Sequence, residues 1–215
     1  MSRSRASERH SNPEATIGLI VEGDAEFKAL PRLHKLLPGC PPLKAINLGG
    51  IGAECAPEGV ARRVVPKVIA HQAAGRIRII LCIDRENRQR CAPGFASDVS
   101  QALTRELKQK GRPSTGVHVV IMDRAFEAWI LADARGLHAR RKFKSAPPFH
   151  CFEGELGAQQ RLGVVEMERL LGRPYSKTSD GPELFSALRF PEARAHQNHG
   201  HGSRSLDKFL RTLGV

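Results

Sequence analysis

Two apolar runs in this chain end in acidic turns. Thr16 to Val21 passes directly into Glu22-Gly23-Asp24-Ala25-Glu26, and Arg76 to Ile83 passes into Asp84-Arg85-Glu86-Asn87. Each run is rich in β-branched residues and too short for an independent helix, so each reads as a buried strand. In an open α/β sheet, ligands bind outside the carboxyl ends of the strands. Carboxylates collected at that edge of a strongly basic chain point to a hard divalent cation and an anionic substrate.

The rest of the chain alternates in kind. Ala25 to Leu37 spaces Phe27, Leu30, Leu33, Leu36 and Leu37 as a helix, interrupted or restarted at Pro31. Leu43 to Leu48 is a short extended piece before the Gly49-Gly50 turn. Pro57 opens a helix to about Ala74, with a kink expected at Pro66. Phe95 to Lys110 is amphipathic and stops at Gly111-Arg112-Pro113. Val117 to Met122 is a fourth strand, with Asp123 at its end, and Phe126 to Leu137 the next helix. This order predicts the α/β class: a mostly parallel sheet flanked by helices, with right-handed crossovers. The expected layout is a disordered basic tail over 1–15, a core over 16–138 and a helical C-terminal extension over 139–215 packed on that core. Within the extension, a basic, proline-rich loop reaches Phe149, and short helices follow at about Leu162 to Leu171, Pro182 to Leu188 and Ser205 to Leu213.

Lysine and arginine number 34 against 22 aspartates and glutamates, a formal charge of +12, and the isoelectric point is near 10.1. Such an excess favours polyanions. Some of it sits in tail and loop, including Arg140-Arg141-Lys142-Phe143-Lys144, but Arg62, Arg63, Arg76, Arg78, Arg85, Arg88 and Arg90 fall in or beside the predicted core. The five cysteines form no CxxC pair and fit reduced thiols. Without a signal-like or membrane-length apolar run, the expectation is a soluble cytoplasmic protein with no membrane partner.

Several residues carry candidate chemistry, each beside a plainer reading. Gly23 after Glu22 permits a tight turn with room for a metal or phosphate, whereas Glu22 or Asp24 as a helix cap is the ordinary alternative. Asp84 and Glu86 are spaced to reach one cation, or to form a solvated loop. Glu127 begins a helix just after strand four and either joins the acidic cluster or complements the helix dipole. Lys177, in a polar loop, either neutralises a phosphate or is simply solvated. Trp129 reads as a core anchor. His196, His199 and His201 invite zinc, but they lack a spaced cysteine partner and lie in a glycine-rich stretch. Walker A, HExxH, GxSxG and GxGxxG patterns are absent.

At Ile20-Val21-Glu22-Gly23, with Glu26 following, and at Asp84-Arg85-Glu86 the sequence resembles the TOPRIM superfamily, whose members pair a strand-end Glu-Gly with a later Asp-x-Asp. Glu86 stands where that pattern has aspartate. Phe126-Glu127-Ala128-Trp129-Ile130-Leu131-Ala132-Asp133, Tyr175-x-Lys177 and the Ser205-Leu206-x-x-Phe209 helix resemble small stand-alone, OLD-like TOPRIM proteins encoded beside ABC-type ATPases in anti-phage defence systems. The resemblance implies a Mg²⁺- (or Mn²⁺-) dependent nuclease acting on DNA or RNA with an ATPase partner. It makes Glu22 a metal ligand or general base and Asp84 a metal ligand, with Glu26, Glu86 and Glu127 completing the acidic set and Lys177 in a catalytic role. The competing reading is a catalytically silent module that binds nucleic acid or docks on an ATPase. Self-association is left open.

Overall fold

The computed structural model describes residues 16–52, 54–147, 161–194 and 202–215. The tail over 1–15, Cys151 and the histidines 196, 199 and 201 lie outside them. Four strands, β1 (Ile17–Val21), β2 (Leu43–Asn47), β3 (Ile79–Asp84) and β4 (Val117–Met122), form one all-parallel sheet in the order β2-β1-β3-β4. Gly18 pairs with Ile79, and Ile79 with Val117, so all the carboxyl ends share one edge.

Strand alternation sorts the apolar residues into two cores. Leu19, Val21, Ile80, Cys82, Val120 and Met122 belong to one cluster. Ile20, Leu81, Ile83, Val119 and Ile121 belong to the other. The second face is covered by α3 (Pro57–Ala73) and α4 (Ala92–Gln109), through residues such as Val64, Val68, Val99 and Leu103. The first is covered by α1 (Asp24–Ala29), α5 (Phe126–Leu131), α6 (Ala134–Ala139) and the later helices α7 (Arg161–Leu171), α8 (Asp180–Ser186), α9 (Phe190–Arg194) and α10 (Arg204–Leu213). Trp129 is fully buried there, stacked near Phe126, Phe185 and Phe209. Residues beyond 139 thus supply a layer of the sandwich: Met167, Phe185 and Phe209 share one cluster with β1 and β4.

The structure departs from the sequence reading in several places. β3 begins at Ile79, where its pairing with Gly18 of β1 and Val117 of β4 begins, and Ile77 is 79% exposed. The first helix breaks into α1, a 3-10 turn at Leu30–Arg32 containing Pro31, and α2 (Leu33–Leu36), since proline has no N–H to continue the ladder. α3, by contrast, runs unbroken through Pro66. The helix after β4 divides at Asp133, whose side chain turns to Arg140 and Arg189. α4 starts earlier, at Ala92, and α9 is a short helix between the predicted ones. Within the basic loop after α6, Phe143 is a buried core residue.

Candidate active site

Glu22 leaves β1 and Asp84 ends β3, on adjacent parallel strands. The two are joined directly. Glu22 Oε1 accepts the N–H of Ile51 at 2.8 Å, and Oε2 accepts the N–H of Asp84 at 3.2 Å. Neither Glu22 nor Asp24 caps α1, which starts behind Gly23 without a side-chain cap. Asp24 instead accepts from Asn47 Nδ2 at 2.7 Å. Gly23 lies in extended backbone that any residue adopts (φ −127°, ψ 171°). Its lack of a Cβ matters for another reason: that atom would stand 2.7 Å from Glu26 Oε2. Gly23 makes room for a neighbouring carboxylate.

A cleft of about 490 Å³ opens at this edge, and its walls include six carboxylates, Glu22, Asp24, Glu26, Asp84, Glu86 and Glu127, against one lysine, Lys177. All six candidate residues therefore converge. Their ionisation shows the crowding. Burial, then the charges of Glu26, Glu127 and Glu22, push Asp84 well above the usual carboxylate range. Burial, reinforced by Glu127 and Glu22, pushes Glu26 up to about 7. Glu22 is raised by burial, opposed by its Ile51 hydrogen bond, and Glu86 by burial, opposed by Arg88 and Lys177.

The loop carrying Asp84 and Glu86 is held from both sides. Arg88 donates to the carbonyls of Asp84, Arg85 and Gly52 and lies over the Phe95 ring. Glu86 and Arg124 clasp each other, with Glu86 N–H donating to Arg124 O at 2.8 Å and Arg124 Nη1 to Glu86 O at 3.0 Å. Both adopt left-handed backbone, φ 51° and 76°, which costs roughly 1–3 kcal/mol each for non-glycine residues. The surrounding hydrogen bonds hold that conformation in place.

Glu127 is buried, and its Oε1 lies 3.6 Å from Lys177 Nζ. This ion pair makes Lys177 part of the cleft instead of a purely solvated side chain. Burial would lower the Lys177 pKa, but Glu127, Asp84 and Glu26 outweigh it and raise it. Tyr175 stands beside Glu127, and its phenol is pushed up by burial and by that carboxylate. Asp24 and Asn47 also line the cleft. Of these three, Asp24 lies in the acidic turn after β1 and Tyr175 in the Tyr175-x-Lys177 motif, so both carried a signal in the sequence without being assigned to the site, whereas Asn47 carries none.

Among the described residues, no three His, Cys, Asp or Glu side chains form a ready-made metal-binding group. A closed metal cage is therefore not what these residues build. Asp84 Oδ1 is nevertheless buried without a hydrogen-bond partner, which is expensive unless something positive faces it, whereas Glu86 Oε2, also without a hydrogen bond, has Arg88 Nη1 at 3.9 Å. Magnesium takes only one or two protein carboxylates and fills its shell with water and substrate oxygen. The donor set fits a cation held in that open way. Comparison with protein-family models, curated proteins and solved structures found no match for the chain. Among the described residues, no helix is long and apolar enough to cross a membrane.

Proposed function

We propose that this protein is a divalent-cation-dependent nuclease that hydrolyses phosphodiester bonds of DNA or RNA, working with an ATPase partner in antiviral defence. One observation carries the chemistry: an under-neutralised carboxylate cluster, with Asp84 Oδ1 buried and unpartnered, at the ligand-binding edge of a chain of net charge +12. The ATPase partner and the defence role follow only from the TOPRIM resemblance.

Asp84 and Glu22 would hold Mg²⁺ or Mn²⁺, with Glu86 and Glu127 oriented around them. The bound cation would polarise the phosphate and the attacking water. Glu22, fixed by two backbone N–H groups, still offers lone pairs to a ligand. Glu26, its carboxyl pushed up to about 7 by burial and by Glu127 and Glu22 and lining the cleft beside Glu22 and Asp84, would be the group to take a proton from water. Lys177 would stand as counter-charge to the phosphate. Basic side chains elsewhere on the chain would hold the backbone without reading sequence.

A second reading, a silent nucleic-acid-binding or ATPase-docking module, is favoured by the absence of a ready-made metal group among the described residues and by Glu86 in place of aspartate. Metal dependence separates the two. Labelled DNA and RNA are incubated with the protein in Mg²⁺, Mn²⁺ or chelator, with and without the ATPase partner. Cutting in metal and none in chelator supports the nuclease. Binding in every condition with no cutting in any of them sinks it.

A further inference from the structure

The tripeptide Asp84-Arg85-Glu86 faces two ways. Asp84 and Glu86 line the carboxylate cleft, while Arg85 between them lines a separate cavity of about 400 Å³ bounded by β4, α4 and α10. We propose that this second cavity is a subsite for a phosphodiester group of a nucleic-acid strand whose neighbouring segment lies in the cleft. The inference rests on the nucleic-acid reading above and names the surface that would grip the strand.

Charge is the first argument. The cavity is lined by four cationic side chains, Arg85, Arg204, Lys208 and Arg211, and by one carboxylate, Asp123, which Arg85 Nε meets at 2.8 Å. Arg85 is only 8% exposed, so a fixed guanidinium forms part of the wall. The other three stand at i, i+4 and i+7 on α10 and form one exposed stripe, opposite the buried Leu206, Phe209, Leu210 and Leu213. The Arg211 ion pair with Asp207 lies at the surface, where such pairs are weak and exchangeable.

The backbone contributes as well. α4, 18 residues long, opens onto this cavity at Cys91, Ala92 and Pro93, with no side-chain cap and no acidic residue in its first turn. Pro93 has no N–H, so the backbone contributes the Ala92 N–H and the positive end of the helix dipole to the side-chain field. Ile121, Pro93 and Ala96 give an apolar floor on which a sugar or base can rest. Opposite charge in the two cavities suits a strand anchored by one phosphate in the basic cavity and presented by another to the acidic cleft. A free phosphate would use only the first.

The test measures binding separately from cutting. Affinity of the full chain for a labelled single-stranded oligonucleotide is followed across salt concentrations in chelator. Lys208→Gln with Arg211→Gln should weaken binding and make the log–log salt slope shallower by about two. Lys108→Gln with Lys110→Gln, at the far end of α4, should leave both unchanged. Equal loss in the two pairs would mean diffuse attraction only, and no loss in either would place the strand elsewhere. Each overturns the subsite. Displacement of the oligonucleotide by ATP at matched phosphate concentration would also overturn it, in favour of a free-nucleotide pocket. Metal-dependent cutting is scored independently. A parent that binds through Lys208 and Arg211 yet never cuts keeps the subsite and loses the nuclease. A parent that cuts while ignoring both substitutions does the reverse.

Discussion

Asp84 and Asp133 are both carboxylates held largely out of water, and the fold treats them in opposite ways. Asp133 is saturated: its oxygens accept from Arg140 Nη2 and the Arg189 N–H at 2.8 Å and from Arg189 Nη2 at 3.2 Å. Asp84 has a buried oxygen with no hydrogen-bond partner and three carboxylates raising its pKa, which the charge of Lys177 opposes but does not outweigh. A saturated buried acid is a fastener between elements. An unsaturated one costs stability and leaves an acceptor that a bound group could satisfy. The difference is visible only in the partners, since both residues are aspartates near the end of an apolar segment.

Asp84→Asn should give the largest effect and the sharpest contrast. The charge facing a bound cation is lost while size is kept, so cleavage should fall about a thousandfold, roughly 4 kcal/mol of transition-state stabilisation. Stability in chelator should hold or rise, because burial among other carboxylates makes Asp84 costly to ionise in the folded state. The melting temperature and cleavage rate of the variant are compared with those of the parent. A folded Asp84→Asn protein that cuts as fast as the parent ends the catalytic assignment.

Glu26 tests the same contrast by titration. Its folded pKa is raised from 4.5 to about 7, so between those values the folded state holds a proton that the unfolded chain has released. Its contribution to stability is therefore present at low pH and is lost as pH rises through that window, by on the order of 3 kcal/mol if Glu26 alone is counted. His71, whose imidazole burial pushes down, slopes the other way below 6.5, so the informative quantity is the difference between the parent and Glu26→Gln. Melts in chelator should show Glu26→Gln gaining on the parent as pH rises from 4.5 to 7. Parallel curves would mean that the cleft carboxylates are not strained.

Asp133→Ala should do what the Asp84 change does not. Arg140 and Arg189 are 37% and 46% exposed and can return to water, so the loss stays below that of a fully buried pair, about 2–3 kcal/mol. A chemical-denaturation curve should register this as a lower midpoint. A neutral Asp133→Ala would erase the distinction between the two aspartates.

Much of the fold is legible because four apolar runs with helical spacing between them admit few arrangements, and strand-end carboxylates then fall at one edge. What escaped was long-range or irregular. Asp133 reads as part of a helix motif, but its role depends on Arg189, 56 residues away. Phe143 sits in a run of basic residues whose charge hides one buried ring. The role of Gly23 could not be read without the position of Glu26. Tyr175 reaches Glu127 only because α5 and the segment before α8 meet across the first core.

Glu86→Gln should have the smallest effect, and its size decides whether Glu86 belongs with Asp84. Glu86 is set by its backbone, with φ 51° and the Arg124 clasp, and its carboxylate lies 3.9 Å from Arg88 Nη1 with 22% of the side chain exposed. Arg88 and Lys177 already offset part of the burial that raises its pKa, so removing its charge withdraws less from a bound cation. Cleavage should drop about tenfold, near 1.4 kcal/mol, with the melting temperature unchanged because the clasp is made by backbone atoms and Arg124. Glu86→Asp, which brings in the TOPRIM-type aspartate, shortens the reach and separates direct from water-mediated contact. Loss in Glu86→Asp with partial activity in Glu86→Gln would mean that reach matters more than charge. A Glu86→Gln loss as deep as that of Asp84→Asn would make Glu86 a direct ligand and its partial neutralisation by Arg88 irrelevant.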